Sequence, residues 1–373
     1  MNRYLITLFV LILVTAVTAQ AKKPEPPPSP EDGFAGTWIA PDEADIPNTP
    51  EGDMIRYGKL LLTETYKYLG AESAMPIIGS KVACTNCHLD NGTAAYGGPW
   101  SVVSLKYADP GIFSSRTNEY RNVPVRINGC MQRSMNSIDS RQLPEDSYEM
   151  QSIIAYFDWL ATGMQVDDWR LVEGQGFVKA LPDMARPADP VRGRQLYEKQ
   201  CLPCHGNNGE GVWNPDTQAY VFPALWGPDT FNNGAGMYRL RTGVRFVKGN
   251  MPYGRVDATN PESQLSDEDA WDVMSYVISE ERPAYIYHES DWSGVGPDGV
   301  PNWMKKRVDA GYSIYFPRSD YNDYIAACST AEPDTSYPQV FAAAQHKYGP
   351  WADMLQLQRD IRAAYEANCL PAP

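Results

Sequence analysis

Apolar positions recur at helical spacing in several stretches of the chain, and the stretches come in two pairs. Residues 147–162 present Ile153, Ile154, Phe157 and Leu160, and residues 266–281 present Trp271, Met274, Val277 and Ile278. Steps of three and four residues mark one face of a helix. Ser266, followed by Asp267, Glu268 and Asp269, supplies a capping side chain and an acidic first turn, while Gly163 and Pro283 stop the two helices. Upstream, 53–69 and 190–200 read as amphipathic helices, each with a central glycine, Gly58 and Gly193. Alternating β-branched runs are scarce, so little strand is expected. The pattern predicts a mainly α chain in which an opening and a closing helix occur twice. Its 31 prolines favour long irregular loops between them.

The ends differ from this interior. Asn2 and Arg3 precede an apolar run from Tyr4 to Val17, and Ala19-Gln20-Ala21 offers small residues for cleavage. That run is short of the ~20 residues of a membrane span. Residues 1–21 are therefore expected to be a signal peptide cut near Ala21, which places the mature protein in the periplasm. No cysteine follows the cut that would carry a lipid anchor. Pro24, Pro26, Pro27, Pro28 and Pro30 make 22–34 a stiff leader. A length of 373 residues accommodates two domains or three small ones, and 43% hydrophobic with 21% charged residues is a globular composition. A net charge of −14 excludes nucleic acid and anionic lipid as partners.

Four of the seven cysteines form Cys84-Thr85-Asn86-Cys87-His88 and Cys201-Leu202-Pro203-Cys204-His205. This spacing attaches haem covalently: two thiols reach the two vinyl groups on one porphyrin edge, and the next residue brings an imidazole to the iron. A dithiol or zinc site asks for no histidine at that position. Two haem c groups are expected, bound through Cys84 and Cys87 with His88, and through Cys201 and Cys204 with His205. In the second half, Gly249-Asn250-Met251-Pro252-Tyr253-Gly254 resembles the distal methionine loop of cytochromes c, which implies Met251 as a thioether ligand; Met237 is its rival. Pro223, in Phe222-Pro223-Ala224-Leu225, resembles the cytochrome proline whose carbonyl orients the proximal imidazole.

The first half has no such methionine loop. Cys130 stands 42 residues after His88, flanked by Met131 and Met135. Between 110 and 144, Arg116, Arg121, Arg126, Arg133 and Arg141 oppose only Glu119 and Asp139, a local net charge of +3. Guanidinium groups favour a neighbouring thiolate and offer forked donors to an oxyanion. Arg121 is expected on a solvated face. Cys328 and Cys369 remain, and a disulfide between them would suit an exported, loop-rich segment. His288 and His346 are expected to be packing or surface residues.

The segment 126–136 resembles the signature of the diheme thiosulfate dehydrogenases, c-type cytochromes that form tetrathionate. Trp38-Ile39-Ala40-Pro41-Asp42-Glu43-Ala44, Cys87-His88-Leu89-Asp90-Asn91-Gly92-Thr93 and the stretch 107–116 are similar to that family as well, and the likeness spans 36–285 and touches 340–351. The resemblance implies two tandem class I cytochrome c domains, 35–185 with a catalytic haem and 186–285 with an electron-transfer haem, followed by a loop-rich extension, 286–373. It implies His88 and Cys130 as ligands of the first iron, and His205 and Met251 as ligands of the second. Arg116, Ser134 and Arg141 fall at substrate-contacting positions. Some members carry a lysine before the distal methionine; here that residue is Asn250, a poor ligand.

The expected activity is oxidative coupling of two thiosulfates, with electrons passed to a c-type cytochrome or similar high-potential carrier, the reverse reaction being open to the same site. Thiosulfate is also a thiol-exchange partner, so Cys130 has two candidate roles, iron ligand and covalent partner. Two other readings use the same motifs: a diheme electron carrier without catalysis, and a cysteine-ligated haem subunit that loads thiosulfate onto a carrier protein.

Overall fold

The computed structural model describes residues 38–114, 116–164, 168–291 and 343–352, with single positions 356, 363 and 367. Expectations for the signal peptide, the leader and the Cys328–Cys369 pair lie outside the described residues.

Two helix pairs organise the chain. In the first, an opening helix Pro50–Thr63 crosses a closing helix Tyr148–Ala161; in the second, Pro190–Gln200 crosses Asp267–Ser279. Side-chain caps start all four: Thr49, Ser147, Asp189 and Ser266 each accept a hydrogen bond from a backbone N–H of the first turn. The first opening helix differs from its expected span of 53–69. It starts earlier, at Pro50, and breaks at Glu64, whose φ of −119° and ψ of 42° are not helical, before a short helix Thr65–Leu69.

The glycines at the crossings let the helices touch. They admit backbone, not an aromatic ring: a Cβ on Gly58 would lie 1.9 Å from the Ser152 carbonyl oxygen, and one on Gly193 would lie 1.9 Å from that of Asp272. Each opening helix thus rests directly on the main chain of its closing partner. Around the first crossing pack Ile55, Leu61, Leu62, Met131, Ile153 and Phe157. Around the second pack Tyr197, Leu240, Val244, Trp271, Met274 and Ile278. Trp351 joins the second core with its ring 5.2 Å from that of Trp271.

Two further helices carry site residues, Val123–Arg133 and Leu240–Asn250. The only named strands among the described residues are two antiparallel hairpins. Ile112–Ser114 pairs with Glu119–Arg121, and Val212–Asn214 with Ala219–Phe222. No helix among the described residues is long and apolar enough to cross a membrane.

The halves meet along a polar seam. Lys81 Nζ is 2.9 Å from Asp229 Oδ2. Asn232, 1% exposed, donates to the Gln132 carbonyl at 2.9 Å. Asn250 donates to the Tyr96 carbonyl at 3.1 Å, and Tyr253 to Asp90.

Candidate functional site

One continuous cavity of about 1180 Å³ runs through both halves and is lined by both Cys-x-x-Cys-His motifs. In the first, Cys84 is fixed by Thr65, whose hydroxyl accepts from the Cys84 N–H at 3.2 Å. Burial pushes the Cys84 and Cys87 thiols up to about 12, and the charge of Cys130 adds to both. His88 Nδ1 lies 2.5 Å from the Gly98 carbonyl oxygen. Burial first of all lowers the His88 pKa to about 4, so the ring is neutral, the form that binds iron. Trp100 packs on this ring at 5.1 Å. Gly98 has to be glycine: its φ is +74°, and a Cβ would lie 3.0 Å from His88 Nδ1. In the second motif, His205 Nδ1 lies 2.8 Å from the Pro223 carbonyl oxygen, and burial lowers its pKa also.

These features fit covalently held haem. The thiols stand together, burial favours the neutral form of both imidazoles, whose Nδ1 atoms are engaged, and the space beside them is walled by Leu62, Val82, Phe157, Phe246 and Val277. Met251 caps the C-terminus of Leu240–Asn250 in extended conformation and lines the cavity; Met237 lines it too.

Cys130 faces the same space from Val123–Arg133. That helix is started by Asn122, whose side chain accepts from Val125 N–H at 3.2 Å, and it buries Val123, Ile127 and Met131 at four-residue steps. Buried Asn128 locks it in place through reciprocal hydrogen bonds with Leu143, 3.0 and 2.8 Å long. One turn before Cys130, Arg126 places Nη1 2.6 Å from Sγ, while its Nε donates to the Tyr107 hydroxyl at 3.2 Å. The charge of Cys130 raises the Arg126 pKa above the ordinary range, against its own burial.

Arg116, at the tip of the first hairpin, and Ser134, at the end of the cysteine helix, both line the cavity. Arg141 does not reach it. Its side chain is 47% exposed and donates to the Pro76 carbonyl at 3.0 Å, so the structure gives it no contact with this site. Arg121 is a correction in the opposite sense. It lines the cavity instead of a solvated face, donates to Thr117, and is lowered in pKa by burial, with Arg126 and Arg133 contributing. Lys106 was not singled out from the sequence. It also lines the cavity, lies 4.4 Å from the Trp169 ring centroid, and has its pKa lowered by burial. Four cations, Arg116, Arg121, Arg126 and Lys106, thus line the cavity that Cys130 also lines, and Arg126 touches the thiol.

The cytochrome c family matches residues 190–280. The thiosulfate dehydrogenase of Psychrobacter arcticus is 36% identical over 261 residues, covering 70% of this chain and 73% of the relative. That of Stutzerimonas stutzeri is 35% identical over 65% of this chain and 72% of the relative. That of Thiomonas intermedia is 32% identical over 83% of this chain and 89% of the relative. A solved structure of the thiosulfate dehydrogenase TsdBA from Marichromatium purpuratum, in its as-isolated form, superposes with a TM-score of 0.58 at 32% identity. It covers 66% of this chain, and the chain spans 50% of that neighbour.

Proposed function

The chain belongs to the thiosulfate dehydrogenase family of c-type cytochromes, and from that premise we propose that it couples two thiosulfate ions to tetrathionate in the cavity beside Cys130. The observation that supports this reading most is that Arg116, Arg121, Arg126 and Lys106 line the cavity that Cys130 also lines, with Arg126 in contact with the thiol. Coupling forms one S–S bond between sulfane sulfurs, releases two electrons and moves no proton. Such a reaction needs no general acid. It needs cations that hold two dianions together, since their repulsion is large in a low-dielectric cleft.

The residues divide the work by position. Arg126, fixed by Tyr107 and beside Cys130, sets the charge next to the reacting sulfur; Arg116 and Arg121 on the hairpin and Lys106 capture the anions. The apolar walls limit water and strengthen these attractions. Haem c bound at the two motifs supplies one-electron acceptors, with a thiolate keeping one potential low and a thioether raising the other. Two haems per chain are supported by the two motifs and by a cavity larger than the ~300–1,000 Å³ of an ordinary single-ligand site. His88 and Cys130 would hold the iron of one haem and His205 and Met251 that of the other, in domains 35–185 and 186–285. Electrons would leave to a periplasmic c-type cytochrome or similar carrier, and the site would also serve tetrathionate reduction. A carrier without catalysis has no use for several cations lining the cavity of its thiol.

The test is a steady-state assay of the exported holoprotein with thiosulfate and a high-potential acceptor, alongside a pyridine haemochrome determination. Tetrathionate in a one-to-two ratio to thiosulfate consumed, and two haems per chain, are expected. Acceptor reduction that yields sulfite or sulfate, or one haem per chain, would overturn the reading.

A further inference from the structure

The segment after the second closing helix turns back across the seam and reaches the cysteine helix of the first half. Asn233 holds it, accepting from Tyr285 N–H at 2.8 Å and donating its own N–H to the Pro283 carbonyl at 3.1 Å. Asp291 then meets Arg133 in a forked pair, Nη2 to Oδ1 at 2.6 Å and Nε to Oδ2 at 3.1 Å. These side chains are 4% and 2% exposed. The Arg133 guanidinium also covers the Tyr285 ring at 4.5 Å. A buried arginine with a forked carboxylate on its edge and an aromatic ring on its face is a structural cation.

The same carboxylate faces a second arginine. Arg116 Nε stands 3.9 Å from Asp291 Oδ2, and Arg116 Nη1 donates to the Gly234 carbonyl at 3.3 Å. Two groups that orient Arg116 thus come from the second half, although Arg116 sits on a hairpin of the first and lines the cavity beside Cys130. Without a carboxylate between them, two nearby guanidinium groups in a low-dielectric setting would repel each other.

We propose that Asp291 is a positioning residue of the thiosulfate site: it fixes Arg133 and, through the same carboxylate, holds Arg116 at the cavity wall where the anion arrives. The inference rests on the reading of the Cys130 cavity as the place where thiosulfate binds. It makes the segment beyond the second closing helix part of a site whose thiol lies in the first half.

The experiment uses full-length holoprotein and compares wild type, Asp291→Asn and the double variant Arg133→Gln/Asp291→Asn. The single variant leaves a buried cation unpaired and threatens folding. The double variant changes no net charge and removes the buried Arg133–Asp291 pair whole while still taking the carboxylate away from Arg116, so it separates position from the charge left on Arg133. Two quantities are read: KM for thiosulfate, and the inhibition constant of sulfate, a dianion with no sulfane sulfur to couple. Both should rise about tenfold in both variants with kcat within about twofold, because lost orientation of a binding group acts on capture. Wild-type values in the double variant would overturn the proposal, whether the single variant rises or falls, since the effect would then belong to the charge of Arg133. A wild type that oxidises no thiosulfate would sink the underlying reading and the inference with it; an active wild type with unaltered variants would sink the inference alone.

Discussion

Arg126 and Cys130 are four residues apart on one helix, and that spacing is what brings a guanidinium to the thiol. The signal was present in the sequence, where the arginine cluster was legible as a whole but not in its parts. Helical spacing selects Arg126; nothing local separates Arg116, which reaches the cavity, from Arg141, which is held outside it by Pro76 and Asp139. Asp291 was illegible for a plainer reason: 158 residues separate it from Arg133, and no motif marks it. The distal methionine is settled by substitution. Both Met251 and Met237 line the cavity. Met251→Ala should abolish the weak long-wavelength band that a thioether gives ferric haem and lower that haem's potential, while Met237→Ala keeps both. The opposite pattern in visible spectra and redox titration would transfer the role to Met237.

Helices were readable where caps and apolar spacing agree. The starts at Ser147 and Ser266 coincide with the caps seen in the structure, and the second opening helix occupies Pro190–Gln200 as expected. The first opening helix was misjudged because its cap, Thr49, lies upstream of the periodic positions, and because the break at Glu64 has no proline or glycine to announce it. The two crossings carry a stability prediction. Alanine at Gly58 or Gly193 would gain roughly 1 kcal/mol of helix propensity. Against that stands overpacking of roughly 1–3 kcal/mol, at the upper end here because the clash is with a carbonyl and no rotamer relieves it. Both Gly58→Ala and Gly193→Ala should therefore lower the thermal midpoint of the holoprotein. A midpoint at or above wild type would show that the helices can part without loss.

At the scale of the molecule, the negative balance of the chain and the positive wall at Cys130 act together. A net charge of −14 disfavours anions in general, and Arg116, Arg121, Arg126 and Lys106 on the cavity wall offset it locally. The seam of Lys81 with Asp229, Asn232 with Gln132 and Asn250 with Tyr96 holds the two motifs to one cavity. Such a cavity was not legible from the sequence, because seam contacts join residues about 100 or more apart in the chain. The central claim is that this cavity is a catalytic site organised around Cys130, and one comparison tests it most directly. Tetrathionate formation is measured for wild type and Cys130→Met with the same acceptor and the same haem content. Both proteins should keep their covalent haems, since Cys84 and Cys87 remain. The variant should lose tetrathionate formation by orders of magnitude, as when a group acting in the chemistry is removed. Equal, substantial rates in the two proteins would contradict the account.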